Sequence, residues 1–181
     1  QSIETTQTSC IGIPETHGVM GLTENGKGFF KNNLTYVSVL SGFSKKELKE
    51  KPESSILGYA KAYSKLLTKT TQSDWNRHVD VLKALSELPQ NTIQQDFALN
   101  SQIYVMLWFL NQPEFQEEFQ FPDHMLDLSR IFGEENYKVL SSNFISINRE
   151  EIKSNSGDKY TKMPGPCADF PGSIWVAADA T

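Results

Sequence analysis

Three histidines, His17, His78 and His124, are the side chains best suited to metal or proton chemistry. Asp74 and His78 stand four apart on an expected helix, so they share a face. Asp123, His124 and Asp127 cluster at the start of another expected helix. If those helices faced each other, Asp74, His78, His124 and Asp127 would make a metal site, and the chain would be a small helical metal-dependent hydrolase. Neither H-E-x-x-H nor Glu-x-x-His occurs, however. On the simpler reading Asp74 is a helix cap, His78 a boundary residue and Asp123 a first-turn charge favoured by the helix dipole. No metal is assigned.

Other chemistries lack their frames. No G-x-S-x-G elbow sets up a serine nucleophile. Gly26-Lys27-Gly28 is not a phosphate loop, which needs G-x-x-x-x-G-K-[ST] before a helix. G-x-G-x-x-G is absent, so no dinucleotide is expected. Nothing singles out an acid–base pair among 22 carboxylates. The sequence therefore leans away from an enzyme, with no catalytic residue and no cofactor assigned.

Cys10 and Cys167 are the two cysteines, one near each end. An even count permits one disulfide, and a close C-x-x-C metal pair is absent. Such a bridge would contribute about 5 kcal/mol in the chain-entropy model. The chain begins with Gln1 and carries no apolar leader, which reads as a processed product from which a signal peptide has been removed. Secretion or a periplasmic location is the expectation. Asn33-Leu34-Thr35 fits the glycosylation triplet but is common by chance.

Charge narrows the partners. The formal net charge is −5 and the pI near 5.2, against a general nucleic-acid binder and against broad attraction to anionic membranes. No stretch approaches the roughly 20 apolar residues of a spanning helix. Residues 27–69 carry nine lysines against three glutamates, a local +6. Residues 114–135 carry seven Asp/Glu against Arg130, a local −6. These segments are either ordinary solvated faces or a bipolar surface that steers a protein partner or a second copy. Lys45, Lys46 and Lys49 are the candidate contacts in the basic segment. Trp175 is a further candidate, in a Pro- and Gly-rich tail that either docks on the core or serves as an adhesive strip.

The elements that position these residues are mainly helical. Residues 1–43 read as an irregular or short-strand arm. The flanks of Asn25-Gly26, 19–22 and 28–30, pair there as a small β-hairpin. Residues 34–40 suit a strand or a short helix capped by Asn33. Residues 44–145 read as a helical core. Ser44…Glu47 and Thr92…Gln95 are capping boxes. Ile56, Tyr59, Ala60, Tyr63, Leu66 and Leu67 stripe a helix over 53–69. Trp75, Val79, Leu82, Leu85 and Leu88 stripe the next. The helix over 92–110 is apolar all round from Ile103 to Leu110, which predicts a central helix buried on most sides. Met125, Leu128, Ile131 and Phe132 form a further stripe stopped by Gly133. Residues 146–181 read as an irregular tail.

The expected fold is thus one mainly α domain over 1–181, a bundle of four to six helices around the 92–110 helix. The expected function is that of an exported, non-catalytic binding or accessory protein. The rivals are the metal-dependent hydrolase and a structural subunit of a larger assembly.

Overall fold

The computed structural model describes residues 14–24, 29–67 and 74–163. They are mainly helical, with eight helices and two small two-stranded hairpins. The chain divides into two compact units that meet between Pro89 and Gln90. That boundary falls inside the 44–145 stretch.

The first unit opens with β1 (Thr16–His17) and β2 (Leu22–Thr23), paired antiparallel with His17 opposite Leu22. Its turn runs through Gly18 and Gly21, both at positive φ, so this hairpin precedes the one expected around Asn25-Gly26. Those two residues lie outside the described ones. Four helices follow: α1 (Asn33–Ser41), α2 (Lys45–Glu50), α3 (Pro52–Leu67) and α4 (Trp75–Leu85). Asn32, not Asn33, caps α1, its side chain accepting from the Thr35 N–H. The Ser44–Glu47 capping box opens α2 as the spacing predicts.

Leu22, Leu34, Val37, Leu48, Ala62, Val81 and Leu85 form the core of this unit. The buried line of α3 is Ser55, Gly58 and Ala62. Ile56, expected inside, is exposed. The reason is close approach: a Cβ on Gly58 would sit 2.4 Å from Leu48 Cδ2. Small side chains, not the bulky ones, let α3 come down on Leu48.

A buried polar seam completes the unit. Asn33 accepts from the Thr23 N–H at 2.7 Å and donates to the Leu85 carbonyl at 3.0 Å. The Lys31 ammonium donates to the Lys83 carbonyl at 2.7 Å, and the Lys31 N–H donates to the Glu87 carbonyl at 2.8 Å. These bonds tie the hairpin and the start of α1 to the end of α4. They leave few buried polar groups unmet, which is what makes such a seam tolerable inside a core.

The second unit contains α5 (Ile93–Leu110), α6 (Pro113–Phe119), α7 (Leu128–Phe132) and α8 (Glu134–Leu140). It closes with β3 (Ile145–Ile147) and β4 (Ile152–Ser154), an antiparallel hairpin pairing Ile147 with Ile152. The sequence predicts an irregular tail from residue 146 on, whereas this hairpin is regular. The Thr92–Gln95 box starts α5 as expected. Phe97, Val139, Ile152 and Tyr160 pack together, with Ile93 and Leu140 against them. Asp96 is fully buried and is met on every side. Its carboxylate accepts from the Tyr160 hydroxyl at 2.8 Å, the Met163 N–H at 2.9 Å and the Gln90 amide at 2.5 Å.

Met125 does not belong to the α7 stripe. It lies before the helix at φ 48 and is 84% exposed. Nor is α5 buried on most sides. Ile103 and Leu107 face the interior, while Val105, Met106 and Trp108 face out. An apolar sequence all round fixes the helix but not how much of its circumference finds a neighbour.

Candidate functional site

The outer side of α5 leaves large apolar side chains exposed. At 100° per residue Trp108, Val105 and Phe109 fall in one arc, opposite the buried Asp96, Leu99, Ile103 and Leu107, with Met106 at the edge of the buried arc beside Leu99. Val105 is 58% exposed and Trp108 43%. A helix facing water is ordinarily polar on this side.

The strip continues into α6. Pro113 stands at its first position, where a missing N–H costs nothing. Phe115 and Phe119, four apart, both turn towards Phe109. Phe115 stacks on Phe109 at 4.3 Å between centroids, and Phe119 and Phe121 lie 5.8 and 5.9 Å from it. Phe119 is itself exposed. The opposite side of α6 presents Glu114, Glu117 and Glu118 to water.

The segment after α6 is pinned to the end of α5. The Asn111 amide donates to the Leu126 carbonyl at 2.7 Å and accepts from the Leu126 N–H at 3.0 Å. Asp123 accepts from the Met125 N–H at 2.8 Å and from the Gln116 amide at 3.3 Å. Leu126 is thereby held inward and Met125 outward. The result is an aromatic cluster of Phe109, Phe115, Phe119 and Phe121, with Glu114, Glu117 and Glu118 on the side of α6 turned away from it.

The residues singled out by sequence fall elsewhere. Cys10, Cys167 and Trp175 lie outside the described residues. Asp74 caps α4, accepting from the Arg77 N–H. His78 meets the Tyr63 hydroxyl through Nδ1 at 2.5 Å and lies tilted against the Trp75 ring at 4.7 Å between centroids. Asp127 caps α7. The Ser129 hydroxyl and the Arg130 N–H hold its carboxyl below the usual range. His124 is exposed. Among the described residues no group of three or more His, Cys, Asp or Glu is placed to hold a metal.

Lys45 and Lys49 both reach Glu24, at 2.8 and 2.5 Å. Their hydrogen bonds hold the Glu24 carboxyl down at about 2. Part of the basic segment is thus spent on an internal clamp, while Lys46 beside them is exposed. Among the described residues no helix is long and apolar enough to cross a membrane.

The sequence predicts the 92–110 helix as buried on most sides, and so does not single out the outer face of α5. No protein family model, curated protein or solved structure matches the chain.

Proposed function

We propose that this chain is a non-catalytic binding protein that works by protein–protein contact through the outer face of α5 and α6. The observation that supports it is the strip Val105, Met106, Trp108 and Phe119, left to water on adjoining helices. Single exposed apolar residues are ordinary, but a contiguous group of large ones marks an interaction site. Trp is also the side chain that most often anchors an interface.

A photo-cross-linking side chain placed at position 105, and separately at the exposed position 146 of β3, tests this in extracts of the source cells. A discrete cross-linked species from 105 and not from 146 is the expected result. Equal labelling from both positions, or none from either, rejects the face.

A further inference from the structure

We propose that the β1–β2 hairpin is an acid-released latch, seated on α2 and α3 while His17 is neutral and let go when His17 takes up a proton. His17 is the inward residue of β1 and is 8% exposed, whereas Glu15 and Thr16 beside it face water. Its Nδ1 stands 3.9 Å from the Glu15 carboxylate, and among the described residues no hydrogen bond reaches the ring. The other charges acting on it are Lys49 on α2 and Glu24 just after β2. Glu24 is already engaged by two ammonium groups, Lys45 at 2.8 Å and Lys49 at 2.5 Å. From α3 the hairpin meets Ser55, a neutral hydroxyl. An imidazolium formed here would be buried, would face the Lys49 ammonium, and would find its nearer inward carboxylate spent.

Burial, and then Lys49, outweigh the pull of Glu15 and Glu24, so the seated His17 takes up its proton below the ordinary 6.5. With β1 lifted, the ring regains water and binds the proton at its ordinary value. The lifted state therefore binds the proton more tightly, and falling pH favours it. Neutral pH keeps the latch closed, and acidification through 6.5 and below opens it. The fastenings are few. β1 and β2 pair over two residues each, and the Met20 N–H reaches Ser55 Oγ at 3.4 Å. β2 is tied separately, through the Thr23 N–H to Asn33, so β1 and the turn are the part that lifts. A segment held by so few bonds opens at low cost.

Solution NMR of the full chain tests this by following two quantities between about pH 7 and about pH 5. One is the His17 ring titration, and the other is the amide exchange of residues 16–23, scaled to the unstructured rate at each pH. In that range Glu24, held down at about 2, stays ionised, and Lys31, at about 8, stays charged. His17 is expected to titrate below 6.5, and residues 16–23 to lose protection over the same range while the α3 amides keep theirs. His17→Gln should hold its protection throughout, which separates His17 from the other two histidines. Glu15→Gln, a change at an exposed position, removes an attraction for the proton. It should move the ring titration and the loss of protection to lower pH together, and it keeps the test open if His17→Gln does not fold. A His17 titration at or above 6.5 overturns the proposal. So does protection that stays constant while His17 titrates, or the same loss in His17→Gln.

Discussion

The Tyr160 hydroxyl donates to Oδ2 of Asp96 at 2.8 Å across 64 positions of sequence, and both residues are buried. Burial, and then the neighbouring carboxylate, push the Tyr160 hydroxyl well above its ordinary value, so it stays a donor throughout the working pH range. Tyr160 also sets its ring edge-on to Phe97 at 5.1 Å. The pair joins α5 to the last described segment of the second unit.

Asp96→Ala leaves the Tyr160 hydroxyl, the Met163 N–H and the Gln90 amide without their shared acceptor. The expected loss is about 3 kcal/mol in urea unfolding. The Met163 amide should also lose protection in hydrogen exchange. Retained protection would mean that water replaces the carboxylate at little cost.

Leu107→Ala should cost about 2–5 kcal/mol, because it opens a cavity where the side chain is 2% exposed. Val105→Ala, two positions away on the outer face, should stay within about 0.5 kcal/mol. Thermal or urea unfolding of the two variants tests which side of α5 carries the core.

Burial pushes the Lys31 ammonium down from 10.5 to about 8, against the pull of Glu87. Between those values the unfolded chain binds more protons than the folded one, so stability rises with pH across the window. Below about 8 the full cost of burying the charge is present, about 3 kcal/mol. Above about 10 the slope reverses, since the Tyr59 hydroxyl is pushed up to about 12 and the folded chain then holds the extra proton. Lys31→Met should flatten the rise between pH 8 and 10 in unfolding measured at fixed ionic strength.

Glu24 contributes in the opposite range. Its carboxyl lies at about 2 when folded, against 4.5 ordinarily, so its stabilisation is present above pH 4.5 and is lost as pH falls towards 2. Glu24→Gln should remove that part of the acid sensitivity. Reversing both Lys45 and Lys49 to Glu would crowd three carboxylates together and should destabilise the first unit. Lys46→Glu alone should stay within about 0.5 kcal/mol. Acid titrations followed by circular dichroism separate these variants.

Gly18 and Gly21 both adopt positive φ but differ in their surroundings. A Cβ at 18 would lie 2.5 Å from the Leu48 carbonyl and 2.6 Å from Ser55 Oγ, whereas nothing stands within 4 Å at 21. Gly21→Ala should cost about 1 kcal/mol, the conformational penalty alone. Gly18→Ala should cost clearly more, because backbone must move. Equal losses of thermal stability would show that the hairpin shifts away from α2 and α3 freely.

The capping boxes at Ser44–Glu47 and Thr92–Gln95 and the Asp74 cap were legible in the sequence. Each is a bond or restriction among residues at most a few positions apart, so residue type and spacing suffice. The mainly helical character followed from the same local signals. Which side of a helix is covered depends on elements far along the chain: periodicity places Val79, Leu85, Leu128 and Phe132 inside correctly but misplaces Ile56, Met125 and the outer face of α5. Small residues at 55, 58 and 62 decide how α3 meets Leu48. Lys31 and Asp96 are buried because a distant carbonyl, an N–H group and a hydroxyl receive them, which their charge alone would never suggest. The outer face of α5 has the composition of a core and the exposure of a surface. Hydrophobicity states what a side chain would gain by burial; only the tertiary packing decides whether a neighbour arrives to provide it.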